Sequence, residues 1–326
     1  MPATITHAFF ADDLYDKLDI TTKEKIKKEK KSLRMFAQNT DPLMFYNITN
    51  LKKGKNIRKQ QYTCHSIKTN EFFYNLITYI KKNKYYNDPT VLTFLYGFIA
   101  HFALDSNAHP YIIYKTGMYD KKDKSTTKYN CLHHYMETFI DNTMINERVK
   151  TNYKKFNIGN YVFTLKKFSN NLNNTINYTF NKTFNLKYMS KIYYTSLKQM
   201  KLFINLFRKD SYGIKKTAYK LIDKVTPKTA FILDALSYNQ KIKDENNYLN
   251  KTHKKWNYPI DKNITSTKSF KDIYNDSLNE ALYIIKNINE YFYNDKEIDI
   301  DNLFKNKSYV TGIDCNSKLK QKYFEF

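Results

Sequence analysis

Residues 98–112 read FIAHFALDSNAHPYI, a greasy segment that places His101, Asp105 and His109 four residues apart. At 100° per residue the three fall within an arc of about 80° on one helical face, so they can converge on one point. The neighbours Phe94, Leu95, Phe98, Ile99, Phe102 and Leu104 make the segment apolar all round, the pattern of a buried helix. A carboxylate and two imidazoles are costly in such a place unless paired, and a divalent cation satisfies both kinds of group together. The alternative is a buried salt bridge or turn contacts for Asp105, with the histidines as ordinary core donors. His133 and Glu137 repeat the i, i+4 spacing beside Met136 and Phe139, and six of the seven histidines lie in the first 134 residues. Side chains four apart on a helix can reach one ion. Nitrogen and oxygen donors without thiolate suit zinc at a catalytic site, although manganese and iron accept similar sets. Two or three such ions would clamp a phosphate and lower the pKa of a bound water, which is the chemistry of hydrolysis.

The elements that must position these groups read as helices. Gly and Pro number only 6 each, and apolar residues recur every three or four positions. A helix starts near Thr6 with His7 in its first turn, and a Lys/Glu-rich solvent-facing helix is expected over 22–37, followed by a turn at 39–46. Another begins near Thr69. Asp88-Pro89 gives a cap-then-proline start for a helix that runs to His109, where Pro110 is expected to end it. Further helices are expected over 130–148, 160–184, 187–209, 212–223, 227–243 and 268–293. Residues 243–268 read as a long irregular connection, and 296–326 as a tail.

Composition narrows the function classes. The 326 residues carry a net charge of +24, but the excess is spread over both halves, with 24 Lys+Arg against 15 Asp+Glu in residues 1–150. Only Arg34, Arg58, Arg148 and Arg208 are arginines, and base or phosphate recognition leans on Arg forks, so nucleic acid is the less favoured partner. Scattered lysines leave room for peripheral contact with an anionic membrane. Cys64, Cys131 and Cys315 are an odd number without CxxC spacing, so neither a disulfide framework nor a cysteine zinc knuckle is indicated, and they read as reduced thiols. No signal-peptide pattern and no apolar run long enough to span a bilayer are seen, so a cytoplasmic location is expected.

Residues 1–150 resemble the zinc-dependent phospholipase C family, whose fold is shared with zinc-dependent single-strand nucleases. THAFFADDLYDKL looks like the family's early helix, whose histidine binds the most solvent-facing zinc, which would make His7 that ligand. NTDPLMFYN looks like the loop with a zinc-binding aspartate, here Asp41, and CHSIKTNEFF supplies His65. In YGFIAHFALDSNAHPY the resemblance assigns His101 and Asp105 to one zinc, with the aspartate bridging to another, and gives His109 to the remaining ion. LHHYMETFID maps His133 and Glu137 onto the closing H-x-x-x-E element, leaving His134 over. The chain departs from secreted members in starting Met1-Pro2, where they expose a tryptophan whose amine and carbonyl complete the third zinc, and in its shorter Asp105–His109 spacing.

The resemblance implies an all-α bundle with a di- or trinuclear zinc site at 1–150, and 151–326 as a helical extension or a second helical domain. It implies a hydrolase that cleaves a phospholipid or related phosphodiester, with Asp41 orienting or deprotonating the water. A nuclease or nucleotidase on the same scaffold, or a non-catalytic metal-stabilised scaffold, competes with it; an open coordination position would separate enzyme from scaffold. Tyr46 or Phe72 could contact a head group or base. His253 and Trp256 could line a substrate groove or form a surface loop with a buried Trp anchor, and Gly312 marks a turn.

Overall fold

The described residues are mostly helical, beginning with α1 (Thr4–Lys17), α2 (Ile20–Ile26), α3 (Lys30–Phe36), α4 (Leu51–Ser66) and α5 (Thr69–Lys82). The long α6 (Pro89–Thr116) and α7 (Thr127–Arg148) follow, then α8 (Ile158–Val162), α9 (Asn170–Phe184), α10 (Met189–Phe203) and α11 (Ile214–Val225). A two-stranded antiparallel hairpin, β1 (Trp256–Tyr258) and β2 (Asp261–Ser266), precedes α12 (Phe270–Asn294) and α13 (Ile300–Phe304). The structure is a computed structural model and describes residues 4–120, 122–149, 156–225, 233–239 and 243–325. The all-α expectation holds.

The fold is organised around α6. Asp88 Oδ1 accepts from the N–H groups of Thr90 and Val91 at 2.8 and 3.4 Å, and Pro89 takes the first helical position, where an N–H would have no partner anyway. The helix then runs 28 residues, about 42 Å at 1.5 Å per residue, and stops at Gly117, whose φ of 76° favours glycine. Both faces are buried, by α1, α3, α7, α9 and α12. One continuous apolar cluster runs from Ile5 to Tyr309 and shows no seam at residue 150. The helices after that point therefore pack into the same core as those before it.

Pro110 does not end this helix, contrary to the sequence expectation. A proline inside a helix costs about 3 kcal/mol through the lost N–H and a clash with the preceding turn. Tyr111 and Ile112 beyond it are almost fully buried, and burying side chains of that size returns about 1.5–3 kcal/mol each, enough to carry the helix through.

Other expectations also shift. The segment 22–37 is not one solvent-facing helix: a 3-10 turn at Lys27–Glu29 divides it, and Leu33, Met35 and Phe36 are in the core. Residues 39–46 contain a short 3-10 turn, Asp41–Phe45. The expected helix 160–184 is two, α8 and α9, and 187–209 ends as a π turn at Ile204–Arg208. The expected helix 227–243 lies partly outside the described residues, and its described part holds only a 3-10 turn, Leu233–Leu236. The connection 243–268 contains the hairpin. Within it Trp256 is buried against Tyr111, Tyr114 and Tyr258 and donates to the Lys268 carbonyl, which is the anchor reading; His253 is exposed. Phe72 belongs to the core, stacked on Phe98 at 5.8 Å between ring centroids.

Gly97 sets how closely α3 lies on α6: a Cβ there would sit 2.6 Å from Phe36 Cβ and 2.7 Å from the Phe36 carbonyl carbon. Gly97→Ala is expected to force the two helices apart at a cost of about 1–3 kcal/mol, read as a lower urea midpoint at unchanged slope. An unchanged midpoint would show that α3 can retreat freely.

Candidate metal centre

Four separate segments deliver polar side chains to the buried side of α6. His101, Asp105 and His109 project from successive turns of α6 itself, as the spacing requires. Asp41 opens the 3-10 turn after α3, His65 is the penultimate residue of α4, His7 lies in α1, and His133 and Glu137 lie in α7. All but His133 are buried. Their donor atoms form three groups, each within 4.8 Å: His7, His101 and Asp105; Asp41, His65 and His101; and His109, His133 and Glu137. The eight residues singled out from the sequence are thus brought together, with His101 common to two groups.

Asp105 sits between them. Its Oδ1 is 3.2 Å from His7 Nε2, and its Oδ2 is 3.0 Å from His101 Nε2 and 3.9 Å from both His65 Nε2 and His109 Nδ1. Burial pushes this carboxyl up, but the neighbouring imidazoles of His101 and His109 outweigh it and hold it well below the usual carboxylate range. Burial pushes the His109 imidazole down to about 3, so at neutral pH it is an uncharged donor of the kind metals take.

The tautomers follow from the backbone. His65 Nδ1 lies 2.7 Å from the Gln61 carbonyl, His101 Nδ1 2.9 Å from the Ala37 carbonyl, and His109 Nδ1 2.6 Å from the Tyr309 carbonyl. A carbonyl can only accept, so each Nδ1 carries the proton and each Nε2 presents a lone pair. The Nε2 atoms of His65 and His101 nevertheless face each other at 3.1 Å, with Asp41 Oδ1 3.3 Å from the former. Acceptors pressed together in a dry site repel unless a cation lies among them. Neither carboxylate oxygen of Asp105 nor either ring nitrogen of His7 has a hydrogen bond of sound geometry, despite the short approaches. Orphaned buried groups cost about 1–3 kcal/mol each. The donor set, nitrogen and carboxylate oxygen without sulfur, fits zinc.

Several residues that hold this set were not visible in the sequence. Gln61 Nε2 donates to Asp41 Oδ1 at 3.1 Å, and Thr40 Oγ1 lies 3.0 Å from His65 Nδ1. Gln61 and His65 share the i, i+4 spacing, a signal that could have found it. Asp141, one turn beyond Glu137, accepts from the N–H groups of Ile5 and Thr6, the Thr6 hydroxyl and the Tyr238 hydroxyl at 2.6–3.0 Å. It fixes the first turn of α1, and with it His7. Met1 and Pro2 lie outside the described residues.

The C-terminal segment is the other surprise. Residues 306–315 close on themselves through Ser308 N–H to the Ile313 carbonyl and Cys315 N–H to the Asn306 carbonyl. This strap lays Tyr309 over the site: its N–H donates to the His65 carbonyl at 2.9 Å, and its ring packs on His65, His101 and Phe102. Gly312 does more than turn the chain. Its φ is 69°, and a Cβ would meet the Ser106 carbonyl oxygen at 2.5 Å and Pro110 Cγ at 2.8 Å, against the helical turn that carries Asp105 and His109. Gly312→Val is expected to lift the strap and weaken zinc binding about 10–100-fold while far-UV circular dichroism stays unchanged. Competition with a chromogenic chelator measures this, and undiminished affinity would remove the strap from the site's support.

The family model for zinc dependent phospholipase C matches residues 6–195, which include all eight residues above. No curated protein and no solved structure matches the chain. With more than half its length matched, this chain belongs to the zinc dependent phospholipase C family.

Proposed function

We propose that the chain is a zinc-dependent phosphodiester hydrolase that cleaves a phospholipid on the glycerol side of its phosphate, with His7, Asp41, His65, His101, Asp105, His109, His133 and Glu137 holding two or three ions. The observation that carries this is the opposed pair of His65 and His101 Nε2 lone pairs, flanked by the Asp41 and Asp105 carboxylates, with both Nδ1 atoms committed to carbonyls. Bound zinc would supply charge for the phosphate oxygens and lower the pKa of a water.

The chain's own groups do the remainder. Gln61 holds one oxygen of Asp41, so the carboxylate is oriented before substrate arrives. In this reading Asp41 takes the proton of the attacking water, a contribution of about 10²–10⁴ in rate. The carbonyls of Ala37, Gln61 and Tyr309 keep the imidazoles in the tautomer that leaves Nε2 to the site. Tyr309 and the apolar turns of α6 exclude water from one side. His133, 19% exposed, is the least buried of the eight, and His134 beside it is 35% exposed, so in this reading a phosphate approaches along the first turns of α7.

Purified protein is expected to contain at least two zinc ions, roughly as many as the donor groups can fill, and Asp105→Asn to lose most of them, by elemental analysis. Less than one ion in the unaltered protein would overturn the metal centre. Asp41→Asn separates two roles: retained zinc with kcat down about 10²-fold or more marks a proton acceptor, whereas zinc lost in parallel with activity marks a ligand alone. Phosphatidylcholine, phosphatidylinositol, a chromogenic phosphodiester and single-stranded DNA, assayed side by side, test the lipid assignment. Turnover confined to DNA would move it to a nuclease, and no turnover with full zinc would leave a scaffold.

A further inference from the structure

Most surface helices bury their apolar stripe. In α11 the stripe faces the other way. Ile214, Ala218, Leu221, Ile222 and Val225 fall within an arc of about 100° at 100° per residue. That arc is exposed: Ile214 is 72% accessible, Leu221 60% and Val225 83%. None of the helix's residues is buried.

The attachment to the body runs through the opposite, polar side. Asp210 accepts from the backbone N–H groups of Lys215 and Lys216, Tyr219 Oη donates to the Phe207 carbonyl, and Asp223 accepts from the N–H groups of Leu233 and Asp234. Tyr219, Lys216 and Asp223 fall about 140–200° around the helix from Ile214.

Charge says what covers this surface. Residues 198–225 contain seven lysines and Arg208 against two acids, Asp210 and Asp223, and both carboxylates are taken up by backbone N–H groups. Lys215 and Lys224 flank the stripe, and Lys220 lies beyond Lys224 on the polar side. An apolar stripe of about 18 Å bordered by lysines matches a layer with acyl chains beneath anionic head groups. A folded partner protein would present acidic side chains only at matching points, whereas lysines spread over 28 residues need only a diffuse negative plane.

We propose that α11 is an interfacial anchor that docks the protein flat on an anionic lipid bilayer. The anchor lies outside the matched family region of residues 6–195 and does not depend on the hydrolase assignment.

The test is cosedimentation of the full chain, with its metals in place, on phosphatidylcholine vesicles with and without phosphatidylglycerol. Binding is expected only with phosphatidylglycerol. The double variant Leu221→Ser/Val225→Ser should weaken it by at least about tenfold, and Lys220→Gln and Lys224→Gln by about fivefold each. Far-UV circular dichroism, the urea midpoint and turnover of a water-soluble chromogenic phosphodiester should be unchanged in all three, because these side chains are exposed and none of them is a candidate metal ligand. Absence of wild-type binding, or equal binding by the double variant, overturns the proposal. So does self-association of the wild type that the double variant abolishes while vesicle binding persists, which would assign the stripe to a second copy of the chain. Vesicle binding without lipid hydrolysis would sustain the anchor while removing the hydrolase reading.

Discussion

Two imidazole nitrogens that should repel hold the key to this protein. His65 and His101 point unprotonated Nε2 atoms at each other across 3.1 Å, because their Nδ1 protons are already spent on the carbonyls of Gln61 and Ala37. Protonating one ring would ease that single contact. It would leave His7 and Asp105, both fully enclosed, with polar atoms lacking hydrogen bonds. Divalent cations answer all of these demands together, and they allow a carboxylate to stay ionised at 0% exposure, where desolvation would otherwise cost several kcal/mol.

The remainder of the fold can be read as devices that prevent relaxation of this arrangement. Gly97 lets α3 approach α6 closely enough for the Ala37 carbonyl to reach His101, one turn further along. Asp141 fastens the first turn of α1 to α7, and Arg148 grips Asp13 of α1 with two hydrogen bonds of 2.9 and 2.6 Å. His7 lies between these two fastenings. On the far side the strap is held to α5 through Thr69, whose hydroxyl donates to the Lys307 carbonyl. Every ligand-bearing segment is therefore tied to a neighbour by a polar contact that is not itself a candidate ligand. That is the support a metal site needs if its geometry is not to drift by an ångström.

What could be read from the sequence was whatever is local. The 3.6-residue period of α6 placed His101, Asp105 and His109 on one face, and the Asp88-Pro89 cap fixed where that helix begins. His7, Asp41 and His65 came from likeness to a family pattern, since nothing in their immediate surroundings marks them. Helix α4, which carries His65, went unexpected because its sequence, LKKGKNIRKQQYTCHS, has no continuous apolar face and an internal glycine. Pro110 sits inside α6 because the burial of Tyr111 and Ile112, which local backbone preference does not contain, outweighs its cost. Tyr309 was invisible for a different reason: its carbonyl serves His109, 200 residues away, and a backbone acceptor leaves no mark on residue type.

That last contact also divides the labour of the chain. All eight candidate ligands lie in the first 137 residues, within the matched family region, whereas the strap and α12 lie beyond it. The C-terminal half therefore contributes little donor chemistry. It contributes a carbonyl, a tyrosine ring, a glycine that tolerates a left-handed turn against α6, and the long α12 that covers much of α6. Without the later residues His109 would lose the acceptor of its Nδ1 proton and His65 the tyrosine ring packed on it, so water could enter beside them and the demand for cations would fall. The later residues heighten that demand by keeping water out, so the demand for a cation is a property of the whole fold rather than of the candidate ligands alone.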